Sequence, residues 1–233
     1  MRKLVATMSL NNWEPEITSL TFPLMKYYAK KIGADFLHIN NRKFPNDPIG
    51  YERFQLYDYV DKYDWIVQLD ADLLLHPDTP DVTCLVDKDT ILTSIPDHAG
   101  KRFILDDYFH RDGRYISVPG FFTVTSNWMK DFWRLPEDLT SNEAIKRVTP
   151  CVHEWRDRYV NGEHLVIDYI WSRNVAKYGL KMEYFQNIFK DPLSPIQDYV
   201  MHNSFLPLDH KRQHIKDVVH KHWKLKIGVP PLL

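Results

Sequence analysis

Through the first hundred positions, short apolar runs alternate with longer stretches in which apolar residues recur every three or four places. Lys3–Met8 is a compact apolar run and reads as a buried strand. Ile17–Ile32 has helical spacing, although Pro23 removes a backbone donor and fits a helix interior poorly. Asp35–Ile39 reads as a second strand, Tyr51–Tyr63 as a helix and Trp65–Leu69 as a third strand, with further strands expected at Thr90–Ile95 and Phe121–Thr125. Strands separated by helices need crossover connections, which predicts an α/β fold with a twisted, mainly parallel sheet flanked by helices.

The second half is less regular. Ser126–Leu135 and Glu163–Lys177 read as helices and Met182–Phe185 as a short strand. Leu208–Leu225 places Ile215, Val218, Val219 and Trp223 at helical intervals. No repeat, low-complexity tract or flexible linker divides the chain, so residues 1–233 are expected to form one domain. In open α/β sheets ligands gather beyond the carboxyl ends of the strands, and the segments that follow each strand are the places to search.

Composition narrows the classes. At 44% apolar and 14% aromatic the chain can fill a core. A net charge of −1 gives no basic field for nucleic acid. Cys84 and Cys151 lack metal-type spacing and are expected to be small buried thiols in a reducing compartment. The apolar run at Met1–Thr7 is too short for a signal peptide, and no stretch approaches the roughly 20 apolar residues of a membrane span. A soluble, cytoplasmic protein is the expectation.

The strongest chemical signal is Asp70-Ala71-Asp72 at the end of Trp65–Leu69. In extended chain, residues two apart share a side, so both carboxylates can converge on one divalent cation, which would relieve their repulsion. The other Asp-x-Asp triplet, Asp87-Lys88-Asp89, has no apolar strand leading in and reads as a solvated loop.

The run Asp64–Asp72 resembles the "DxD" segment of GT-A glycosyltransferases, in particular the glycogenin-like retaining glucosyl- and galactosyltransferases. Other segments follow in the family's order. Thr7, Asn11, Asn12 and Trp13 resemble the uridine-binding loop, and Arg53 falls near a family lysine. Ser94-Ile95-Pro96-Asp97 is similar to a loop ending in a substrate-binding aspartate, and Gly120–Val124 to the strand after it. Gly162-Glu163-His164 stands where the family has Gly-Asp-Gln, and His202 resembles the late histidine of the metal site. Val118-Pro119 departs from the family's Asn-Ser. A fainter likeness is to the soluble glycosyltransferases of large algal viruses, which would place the protein in the host cytoplasm.

The resemblance implies a nucleotide-binding part over about residues 1–100 and an acceptor and sugar part over about 101–233. It implies a UDP-sugar donor, a glycan or glycoconjugate acceptor and retention of configuration. Manganese, with magnesium as the substitute, would be held by Asp70, Asp72 and His202; a histidine ligand favours manganese. Thr7, Asn12, Trp13, Arg53, Asp70 and Lys211 would bind the nucleotide sugar, and Asp97, Glu163 and His164 its sugar.

Bland roles stand beside these. Trp13 is also suited to a core, Arg53 to a surface ion pair, His202 to a buried structural position and Glu163 to favourable charge at a helix N-terminus. The basic stretch from 210 to 226 suits a solvated helix face, closure over a diphosphate by Lys211 or Arg212, or a weak membrane-surface contact. Rival readings of the whole chain are an Asp-nucleophile phosphatase and an inactive carbohydrate- or nucleotide-binding module.

Overall fold

The computed structural model describes residues 1–93, 122–148, 163–184, 200–201 and 207–224. Six strands form one open sheet: β1 (Lys3–Met8), β2 (Asp35–Ile39), β3 (Trp65–Asp70), β5 (Thr90–Thr93), β6 (Phe122–Thr125) and β7 (Lys181–Tyr184), in the order β2-β1-β3-β6-β5-β7. β1 runs parallel to β2 and β3, and β5 parallel to β7. β6 is antiparallel to both neighbours, and the sheet as a whole is mostly parallel, as expected. A separate ribbon pairs β4 (Leu74–Leu75) with β8 (Val200–Met201), antiparallel.

Alternation along the strands divides the core. Leu4, Ala6 and Ile66 face one side, packed with Val166, Ile170, Trp171 and Val175 of helix α4 (Glu163–Tyr178). Val5, Val67 and Leu69 face the other, packed with Met25, Tyr28 and Ala29 of helix α1 (Pro15–Lys31). Successive strand residues enter opposite clusters, as the period-two geometry of a strand requires. The α4 side is rich in rings: Trp171 stacks on Phe132 at 5.5 Å and meets Trp133 edge-on at 5.6 Å.

Several boundaries differ from expectation. The predicted helix at Tyr51–Tyr63 is an irregular 3₁₀ segment, Ile49–Tyr59. Gly50 lets it lie against α4, since a Cβ there would meet Ile167 Cγ1 at 2.6 Å. Within Ser126–Leu135 only α2 (Met129–Phe132) is helical, while α3 (Ser141–Val148) was not anticipated. Helix α5 (Leu208–Asp217) continues into a π-helical turn, Val218–His222. Pro23 is accommodated inside α1. Cys84 is exposed rather than buried, in a short 3₁₀ turn; Cys151 lies outside the described residues. Among the described residues no helix is long and apolar enough to cross a membrane.

Candidate active site at the ends of two parallel strands

β1 and β3 are parallel neighbours whose register sets Met8 beside Asp70, so the segments leaving both strands emerge at the same sheet edge. β3 ends at Asp70, and the Asp70 carbonyl accepts from Leu73 N at 3.0 Å, closing a turn over Ala71 and Asp72. Thr21 of α1 donates its hydroxyl to the Ala71 carbonyl at 2.6 Å. The two aspartates therefore sit on a pinned turn, not on the continuing extended chain expected from their spacing. Asp70 is half-buried and Asp72 buried.

Each carboxylate is met by a basic side chain. Arg53 Nη2 donates to Asp70 Oδ1 at 2.5 Å, and Gln68 Nε2 donates to the same oxygen at 3.2 Å. Arg53 is thus brought to the pair, although seventeen positions separate it from Asp70. No motif marks Gln68. Its signal was available, because two positions before Asp70 in a strand it must share that residue's face. Gln68 Oε1 and Arg53 Nε are buried without hydrogen-bond partners among the described residues, an unusual state for buried polar atoms.

Lys211 Nζ donates to Asp72 Oδ2 at 2.6 Å, and the side chains are only 11% and 9% exposed. The next residue, Arg212, donates Nε and Nη2 to Glu14 Oε2 at 2.8 and 2.6 Å. One dipeptide of α5 therefore clamps the loop after β1 and the turn after β3. Ile215, Val218 and Val219 seat this region against Ile17 and Leu20 of α1 and Leu74 of β4. Glu14 and Arg212 carried no sequence signal as a pair, since they are 198 positions apart.

In the loop after β1, Asn11 and Asn12 adopt left-handed backbone with φ of 53° and 54°, a conformation asparagine tolerates. Trp13 follows, 39% exposed, its N–H bonded to the Leu10 carbonyl at 3.0 Å. Exposure removes the core reading of Trp13. Thr7 is buried, and its hydroxyl has no hydrogen-bond partner among the described residues.

Helix α4 begins at Glu163, but the side chains of Glu163 and His164 lie outside the described residues, as do Asp97 and His202. Among the described residues no three His, Cys, Asp or Glu side chains are grouped to hold a metal. Asp89 of the second triplet is exposed and accepts from Asn127 Nδ2 at 2.7 Å, as a surface loop would.

A separate cleft of about 320 Å³ lies between the 3₁₀ segment and the stretch after α2, lined by Phe44, Phe54, Tyr57 and Trp133. On its rim Lys43 pairs with Asp58, Arg134 donates to the Tyr57 hydroxyl, and Glu137 adds a further carboxylate.

No protein-family model and no curated protein matches the sequence. Among solved structures, the chain is similar to a glycosyltransferase involved in glycosylation of the major capsid of PBCV-1, with 10% identity over 93% of this chain and 99% of that one and a TM-score of 0.49. It is similar to the galactosyltransferase LgtC in complex with donor and acceptor sugar analogues, with 15% identity over 98% of each chain and a TM-score of 0.48. A third likeness is to a mutant of Drosophila β-galactosyltransferase 7 in complex with manganese, UDP-Gal and xylobiose, with 12% identity over 93% of this chain and 80% of that one and a TM-score of 0.42.

Proposed function

We propose that this protein is a metal-dependent glycosyltransferase that moves a hexose from a UDP-sugar to a glycan or glycoconjugate acceptor. The observation that carries the reading is the joining, at one sheet edge, of a carboxylate pair and an exposed tryptophan loop by Lys211 and Arg212. A nucleoside diphosphate needs these features together: an aromatic face for the base, and positive charge for the phosphates.

The donor set suits a hard divalent cation, since two carboxylates supply oxygen ligands. Bound there, such an ion would neutralise charge on the departing diphosphate. Arg53 and Gln68 fix the Asp70 carboxylate from one oxygen. Such orientation by surrounding hydrogen bonds is what a ligand carboxylate needs. Trp13 would stack on the uracil, with Thr7 and Asn12 in the same region of the chain. His202 is proposed as the third ligand. Support comes from the ribbon, in which Met201, the residue before it, pairs with Leu74, two places beyond Asp72.

Asp97, Glu163 and His164 are proposed to hold sugar hydroxyls, on the sequence resemblance. In the retaining course proposed, the bond from the anomeric carbon to the phosphate oxygen breaks and a bond to the acceptor oxygen forms on the same face. The acceptor proton passes to the leaving phosphate oxygen, so no separate base is required. The protein's contribution is to hold both partners in place and to match the charge that develops.

The test is a panel of nucleotide sugars incubated with the protein and manganese chloride, with p-nitrophenyl phosphate as a separate substrate. Manganese-dependent release of UDP from one UDP-sugar is expected. Turnover of the phosphate ester alone would favour an aspartate-nucleophile phosphatase, and nucleotide binding without turnover an inactive binding module.

A further inference from the structure

We propose that Lys211 is a place-holding cation: without nucleotide, its ammonium group competes with a divalent metal for Asp72, so that metal and nucleoside diphosphate enter together. The inference rests on the reading of Asp70 and Asp72 as metal ligands. Lys211 Nζ and Asp72 Oδ2 are 2.6 Å apart in a largely buried setting, where an ammonium group parted from its carboxylate stays desolvated.

The helix bearing Lys211 is held where it is. Arg212 bonds Glu14, Lys216 Nζ bonds Glu16 Oε2 at 2.7 Å, and Ile215 is fully buried in the cluster with Ile17, Leu20 and Leu74. The backbone of Lys211 is tied as well, its N–H donating to the Pro207 carbonyl at 2.8 Å. Only the four-carbon stem of the side chain is left to swing.

A divalent cation arriving at Asp72 repels an ammonium group already on that carboxylate. The metal alone offers the expelled ammonium no new anion. A metal that arrives with a diphosphate does, so the nucleotide removes the penalty and the two ligands become thermodynamically coupled. Glu16 serves as an internal comparison. Its partner Lys216 sits on the same helix with the same charge, but in an exposed pair away from the aspartates.

The experiment is calorimetric titration of manganese chloride into nucleotide-free protein, for wild type, Lys211→Met, Lys211→Gln and Lys216→Met. Lys211→Met is expected to bind manganese about tenfold more tightly than wild type, within the usual range of such couplings. Lys211→Gln removes the charge while keeping a hydrogen-bond donor for Asp72, and the same gain is expected of it; it decides the matter if the methionine variant does not fold. Lys216→Met should match wild type. Manganese binding in the Lys211 variants no tighter than in wild type overturns the place-holding role and leaves the metal site standing. Absence of manganese binding in every variant, with uridine diphosphate present as well, overturns both.

Discussion

Glu52 is fully buried, yet four donors converge on its carboxylate: Arg42 Nε at 2.6 Å, Lys43 N at 2.7 Å, Phe44 N at 3.0 Å and Gln55 Nε2 at 2.7 Å. Burial pushes its pKa up, but these bonds outweigh burial and hold it below the ordinary 4.5. With the folded value depressed, the unfolded chain takes up protons first. The stabilisation is complete above pH 4.5 and fades as pH falls through the folded value. Glu52→Ala should cost about 3 kcal/mol by denaturant titration at pH 7, because it strands Arg42 Nε and two backbone donors. Glu52→Gln should lose the acid-sensitive component seen in wild type. At the candidate site, Asp72→Asn should lower transfer by roughly 10²–10⁴-fold, about 3–5 kcal/mol of lost transition-state stabilisation. Asp89→Asn should leave the rate nearly unchanged. Equal losses in steady-state rates would mean that the wrong triplet has been chosen.

Among the elements, those legible in the sequence were the ones whose own residues carry the pattern. β1 and β2 fall at Lys3–Met8 and Asp35–Ile39 as expected; β1 is a continuous run buried within the sheet, and β2 is a short edge strand buried only at Ile39. α1 shows Ile17, Leu20, Thr21, Met25, Tyr28 and Ala29 at helical intervals, a stripe strong enough to absorb Pro23. β4 and β8 were not legible: two residues each carry no period, and their pairing comes from a distant partner. The antiparallel sense of β6 was hidden for the same reason, since strand direction is a property of the connection rather than of the strand. The 3₁₀ segment was read as a helix because its apolar residues recur at short intervals, which 3₁₀ and α spacing share over a few turns. Its seat depends on Gly50. Gly50→Ala should cost about 1–3 kcal/mol through overpacking on Ile167, measured by urea denaturation. Its effect on transfer should exceed that of Gly33→Ala, which meets nothing within 4 Å. The excess is expected because the shift passes to Arg53 and its bond to Asp70.

At the scale of the whole molecule, the candidate site was legible in its parts but not in its assembly. Asp70 and Asp72 were suggested by their place at a strand end and Trp13, Arg53 and Lys211 by the family resemblance, while the ion pairs that draw them together span 17 to 198 positions and leave no local trace. Calorimetry should show uridine diphosphate binding with manganese present and much more weakly with a chelator. Preference for adenosine or guanosine diphosphate would count against the tryptophan loop as a uracil platform while leaving the enzyme class intact. The bond from Lys211 to Asp72 closes 139 positions, and the ribbon pairs Leu74–Leu75 with Val200–Met201. β1, β2 and β3 all precede residue 71, so their part of the sheet leaves the ribosome early. The aspartate turn is made with them but gains its lysine and second ribbon strand only when residues 200–211 emerge. A stalled nascent chain ending near residue 199 should therefore protect β1 amides from hydrogen exchange yet fail to bind uridine diphosphate, because the candidate edge is finished only after β1, β2 and β3 have emerged.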